Sequence, residues 1–201
     1  MGKPLKIDLF VEDQAHEKFL KAILERLAKE QNRKISIDFR QARGGHGRAL
    51  TEFEFYQKNL QKGNCGLSLP DVVIVGIDAN CKSYNVARQE IQGKIIPELK
   101  ERTAIACPDP HIEVWYLADL KAIEGVIGIR PKMGQKKCQR DKYKSILKKA
   151  IKDAGFPATL GGIEFAEEIV LKMNIFDAGK QEAGFKHFID ELTAFLKKEN
   201  F

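Results

Sequence analysis

A buried strand that ends on an acid is the feature that most limits what this chain can fold into. From Asp71 to Asp78 the sequence reads DVVIVGID, and five of the six residues from Val72 to Ile77 are apolar, none alternating with a charge. Such a run is buried on both faces, as a central strand is in a parallel sheet covered by helices. Asp78 then stands at the C-terminal end of the strand, where open α/β sheets keep their ligands.

The chain supplies companions for that strand. Leu5 to Val11 is a second strand. Lys34 to Arg40 is a third, and its alternation of Ile35, Ile37 and Phe39 with polar residues gives it one solvated face near an edge. Thr103 to Cys107 is a short fourth strand, stopped by Pro108-Asp109-Pro110 because proline cannot donate to a ladder. Helices are expected over Ala15 to Lys29, where Phe19, Leu20, Ile23, Leu24 and Leu27 share one face, over Arg48 to Gln61, and over Tyr84 to Lys100. Another begins near His111 and carries Ile112, Trp115, Tyr116 and Leu120, with Trp115 and Tyr116 read as core. This alternation predicts an α/β fold over residues 1–120, a four-stranded and mostly parallel sheet flanked by helices. Residues 121–201 read as helices alone, over Lys142 to Ala154, Ile163 to Met173 and Gly184 to Lys198, with breaks at Gly155-Phe156-Pro157 and Asp177-Ala178-Gly179. No Ser/Gly/Pro linker precedes this helical extension, so it is expected to pack on the sheet domain.

At 201 residues and 43% apolar composition the chain can bury a substantial core. No run approaches the roughly 20 apolar residues of a membrane span, and the N-terminus passes into strand-like sequence without a signal-peptide core, so the cytoplasm is the expected compartment. Cys65, Cys81, Cys107 and Cys138 are too far apart for a zinc knuckle and give no disulfide framework; Cys81 reads as a small apolar filler. The net charge of +6 is uneven, because nine basic residues between Arg130 and Lys149 face the single acid Asp141. A nucleic-acid backbone is attracted to such a segment, and a solvated helix face is the equal alternative.

Four carboxylates follow strand ends: Glu12 the first strand, Asp78 the apolar strand, and Asp109 and Glu113 the last. In a parallel sheet these ends share one edge, so the acids approach a common cleft. Like charges a few ångströms apart cannot all stay ionised without a cation. Oxygen ligands at this density suit Mg²⁺ or Mn²⁺, ions that polarise a phosphodiester and activate water. Each acid also has a plainer duty as a helix cap: Glu12 or Asp13 for the first helix, Asp78 for the next, Asp109 for the one near His111. The turn Gly44-Gly45-His46-Gly47 can offer backbone N–H groups to a phosphate, although it lacks the Gly-Lys-Ser/Thr ending of a phosphate-binding loop. His46 and His111 suit phosphate contact or proton transfer, while His16 and His187 lie on helices and receive no role.

The motif V-E-D-x-x-x-E-x-F-L (Val11 to Leu20), followed by the apolar strand ending in Asp78-x-Asn80, resembles the Toprim domain shared by topoisomerases, primases and OLD-type nucleases. The segment from Pro108 to Asp119, PDPHIEVWYLAD, is similar to small stand-alone Toprim-like proteins, the RloB-like group among them, often encoded beside ATPases in bacterial defence loci. The resemblance covers roughly residues 5 to 120 and implies a Toprim-like, Rossmann-like fold. It further implies a divalent-metal-dependent nuclease acting on DNA or RNA, in anti-phage defence with an ATPase partner. Carried over, Glu12 is the general acid/base or a metal-organising carboxylate and Asp78 a metal ligand; beside them Asn80 offers an amide oxygen to the Mg²⁺ or Mn²⁺, and Asp109 and Glu113, from their own strand end, supply the negative charge that Asn80 lacks. His46, Arg48, Lys82, His111, Lys132, Lys136, Lys137 and Arg140 are then the nucleic-acid contacts.

Two departures matter. Asn80 stands where the pattern has its second aspartate, and an amide oxygen coordinates Mg²⁺ without bringing charge. Asp13 replaces the glycine common after the first glutamate. Asn80 favours the alternative of a non-catalytic nucleic-acid-binding or regulatory subunit of an ATPase complex. Nucleotidyl transfer ranks last for want of a nucleotide-selecting motif. Strandedness and the number of copies stay open, and an oligomer is allowed.

Overall fold

The computed structural model describes residues 3–42, 46–63, 69–135, 138–139 and 141–198, with the side chain of His46 outside the description. Four strands, β1 (Leu5–Val11), β2 (Ile35–Gln41), β3 (Val72–Gly76) and β4 (Thr103–Ala106), lie in the order β2-β1-β3-β4. Every neighbouring pair is parallel, and the register sets Val11 beside Gly76 and Gly76 beside Ala106. The ends of β1, β3 and β4 are therefore level, and the loops that leave them start from one line.

Period-two alternation sorts the strand side chains between two cores. Leu5, Ile7, Leu9, Val11, Val72 and Ile74 face one helical layer, and Phe10, Val73, Val75 and Ile77 face the other. The second layer is formed by α2 (His46–Gln61) and α3 (Tyr84–Gly93). The first begins with α1 (Gln14–Glu30), continues through the short α4 (Glu113–Tyr116) and α5 (Leu120–Ile127), and takes in α6 (Lys142–Asp153), α7 (Ala166–Lys172), α8 (Ile175–Gln181) and α9 (Ala183–Lys197). The C-terminal helices share this core with the sheet. Trp115 sits with Phe185 at 5.2 Å and Phe188 at 5.8 Å between ring centroids, and Phe19 of α1 lies 4.8 Å from Tyr116. Among the described residues no helix is long and apolar enough to cross a membrane.

Several element limits differ from expectation for local reasons. The helix expected over Tyr84 to Lys100 stops at Gly93, and a 3₁₀ turn covers Pro97–Arg102. Glycine weakens the helix there, and Pro97 both lacks a donor and disfavours helix at the residue before it. The helix beginning near His111 divides into α4 and α5, because Asp119 caps a fresh start by accepting from the N–H groups of Lys121 and Ala122 at 3.0 and 3.2 Å. Asp177-Ala178-Gly179 is no break: it lies inside α8, which Asn174 caps through Asp177 N–H. Gly179 is there for space, since a Cβ at that position would lie 3.3 Å from Cβ of Lys186 on α9.

A closer approach seats α9 against the end of β4. A Cβ on Gly184 would stand 2.8 Å from the carbonyl oxygen of Cys107 and 2.9 Å from Cδ2 of Tyr84. Gly184→Ala is expected to destabilise the fold by about 1–3 kcal/mol, the usual cost of overpacking. The urea unfolding midpoint measures it, and an unchanged midpoint would show that this contact yields freely.

Candidate active site at the strand ends

The loops after β3 and β4 run side by side beyond the sheet. Ile77 N–H donates to Ala106 O at 3.0 Å, Ala79 N–H to Pro108 O at 2.7 Å, and Asn80 N–H to Pro110 O at 3.1 Å. This continuation of the ladder lays Asp78 beside His111, whose Nδ1 is 3.2 Å from Asp78 Oδ2. From the other flank, Glu12 N–H donates to Gly76 O at 2.9 Å, and Glu12 Oε2 accepts from the Asp78 N–H at 3.2 Å.

Beneath them α1 carries the group that neutralises the centre. His16 is fully buried, with Nδ1 2.8 Å from Asp13 Oδ1 and Nε2 3.1 Å from Asp78 Oδ1. The first contact is a hydrogen bond. The second is an ion-pair contact that occupies the buried Oδ1 of Asp78. Gly76 lets α1 come this close, because a Cβ there would fall 2.7 Å from Leu20 Cδ1 and 3.4 Å from His16 Cδ2. Asp13 also caps α1 through the N–H groups of Ala15 and His16, at 3.0 and 3.1 Å.

Burial opposes every charge in this network, and the partners outweigh it at four of the groups. Burial pushes the His16 imidazole down, but Asp78 and Asp13 together hold it well above its usual value. Burial pushes Asp78 up, yet His16 and His111 bring it below the usual carboxylate range. Asp13 likewise resists burial through His16 and two backbone donors and falls to about 2. The hydrogen bond to Asp78 raises His111. Glu113 has no such cation at hand: burial first, then the charges of Asp78 and Asp13, raise it.

These shifts fix the sign of the pH dependence. His16 is raised, so its stabilisation is complete below its ordinary 6.5 and is lost as pH climbs through the folded value. Asp13 and Asp78 are lowered, so theirs is complete above the ordinary 3.8 and is lost as pH falls through the folded values, about 2 for Asp13. In chelator, the melting temperature is expected to be highest between those limits and to fall on both sides, with the alkaline fall reduced in His16→Gln. An equal alkaline fall in that variant would remove His16 from the account.

Glu12, Asp13, Asp78, Asn80, Cys81, His111, Glu113, Asp141 and Lys144 line a polar cleft of about 400 Å³. Of the anticipated metal set, Glu12, Asp78, Asn80 and Glu113 are here and Asp109 is not. Asp109 Oδ2 accepts from Tyr84 N–H at 3.2 Å, at the start of α3, so it does a cap's work for a helix other than the one near His111. Asn80 has φ 46°, a left-handed conformation that asparagine tolerates better than most residues.

Of the anticipated nucleic-acid contacts, His111 lines the cleft. Lys82 is 2.7 Å from Glu90, and Arg48 and Lys132 are exposed outside the lining. Lys136, Lys137, Arg140 and the His46 side chain lie outside the described residues. Helical position alone gives His16 no role, and the structure makes it the pivot. The signal is a histidine within the apolar stripe of Phe19, Leu20 and Ile23. Cys81 is no apolar filler: it is paired with Cys138 in a disulfide, Cα atoms 5.6 Å apart, tying the lip of the cleft to the basic segment. A separation of 57 residues carries no hint of that pairing.

Among the described residues no three His, Cys, Asp or Glu side chains are grouped to hold a metal ion as they stand. The donor chemistry nevertheless suits a hard divalent cation, since Glu12, Asp78 and Glu113 present oxygens to one cleft. Comparison with protein-family models, curated proteins and solved structures finds no match for this chain.

Proposed function

We propose that the cleft hydrolyses phosphodiester bonds of DNA or RNA with the help of Mg²⁺ or Mn²⁺, as the Toprim resemblance implies. The observation that carries this reading is the convergence of Glu12, Asp78 and Glu113 on one cleft at the level ends of three strands. Asp78, Glu113 and the amide oxygen of Asn80 would hold the cation, which when bound supplies Lewis-acid polarisation of the phosphate and lowers the pKa of a bound water. Glu12 is the general base for the attacking water, with Oε2 oriented by the Asp78 N–H. Asp109 takes no part, since its carboxylate caps α3. Lys144 lines the cleft where a phosphate would enter, beside His111, whose pKa the hydrogen bond to Asp78 raises. An ATPase partner and a role in anti-phage defence are proposed on the resemblance alone.

A second reading, a non-catalytic nucleic-acid-binding or regulatory subunit, is favoured by one feature. His16 and His111 already contact the two carboxylate oxygens of Asp78, at 3.1 and 3.2 Å. A panel of single- and double-stranded DNA and RNA, incubated with Mg²⁺ or Mn²⁺ with and without the product of any neighbouring ATPase gene, separates the two. Metal-dependent cleavage that EDTA stops is the expected result. Saturable binding without cleavage under every condition would give the second reading its place.

A further inference from the structure

We infer that β2 is a homodimerisation edge, at which a second copy of this chain adds its own β2 antiparallel to form one continuous eight-stranded sheet. Among the described residues β2 pairs on one side, with β1. Lys34 O accepts from Leu5 N–H and Ala42 N–H donates to Val11 O. In a parallel ladder that phase turns the backbone groups of Ser36, Asp38 and Arg40 towards β1 and those of Ile35, Ile37, Phe39 and Gln41 outwards. The outward groups form a row of unpaired donors and acceptors over a seven-residue strand.

Charges on an edge strand commonly discourage pairing. Here they select it, because the signs are self-complementary in one register. An antiparallel two-fold at Phe39 makes Phe39 a hydrogen-bonded pair with its own copy and sets Ile37 against Gln41 of the second copy. Asp38 then falls directly opposite Arg40 of the second copy, twice by symmetry, in the closely spaced pair where side chains meet. Moving the axis by one residue would oppose Asp38 to itself. Asp38 is exposed, and Arg40 stands 3.7 Å from Asp8, so its five-donor guanidinium retains capacity for a second carboxylate.

Apolar surface lies on the same margin. Phe39 is 38% exposed and, on the α1 side of the sheet, would meet its copy across the axis. On the other side, α2 turns Gln57 towards the segment after α3, and Phe55 of the same helix is 65% exposed. The two-fold is perpendicular to the sheet, so the C-terminal strand ends of the copies point in opposite directions. Each cleft would remain complete within its own chain, and dimerisation is independent of the nuclease reading.

Sedimentation equilibrium from micromolar to near-millimolar protein tests the pairing. Wild type is expected to dimerise, Asp38→Glu to keep the dimer, and Asp38→Lys, which sets two like-charged pairs across the axis, to weaken it at least about tenfold with an unchanged circular dichroism spectrum. Under mild oxidation Phe39→Cys is expected to form a covalent dimer absent from wild type, and Asp38→Cys is not, because residue 39 meets itself and residue 38 does not. A monomer across the range, a dimer indifferent to Asp38→Lys, or crosslinking at 38 rather than 39 would overturn the proposal.

Discussion

Asp78→Ala is expected to lower metal-dependent cleavage by about three orders of magnitude, the size of losing several kcal/mol of metal-borne charge stabilisation. Glu12→Gln should cost about a hundredfold to ten-thousandfold, the range for a positioned general base. In both variants the protein should stay folded and bind nucleic acid within a few-fold of wild type, because neither residue belongs to the apolar clusters. In Asp78→Ala the buried imidazole of His16 can shed its proton and keep its hydrogen bond to Asp13. Steady-state cleavage beside a fluorescence-anisotropy binding curve reads both quantities. Wild-type rates in both variants would remove the cleft from catalysis.

The largest effect on stability is expected at His16. His16→Leu keeps the volume but deletes the cation between two carboxylates, leaving Asp78 charged in a site of 7% exposure with His111 as its remaining neighbour. Breaking one partner out of a buried ion pair typically costs about 3–5 kcal/mol, and that range is predicted at neutral pH. The loss should shrink in acid, where Asp78 can take up a proton and no longer needs the partner. Urea unfolding at two pH values measures both. A change under about 1 kcal/mol at neutral pH would mean that His16 fills space and does not balance charge.

The sheet was legible because its signals are local. The apolar run ending at Gly76, the alternation in β2, and the proline stop after β4 each follow from backbone chemistry within a few residues. Helix breaks were less so: Asp177-Ala178-Gly179 has the composition of a turn, yet packing against Lys186 holds it helical, a tertiary effect that overrides propensity. At the site, sequence order puts Glu12, Asp78, Asp109 and Glu113 at strand ends but cannot say which way a carboxylate turns. Asp109 Oδ2 turns to Tyr84 N–H, and the residue stands outside the cleft lining. His16 was legible in principle as a polar residue on a buried helix face, since that requires a partner. The Cys81–Cys138 pair was not, because loop closure over 57 residues leaves no trace in spacing.

The central claim is that a divalent cation belongs at the end of β3. Crystals soaked in Mn²⁺ and measured at the manganese absorption edge test it without reference to substrate, partner or assay conditions. The account predicts one anomalous peak in the cleft beside Asp78, absent from Asp78→Ala crystals. A cleft without a peak in the wild-type crystals, at Mn²⁺ concentrations that load surface sites, would contradict it.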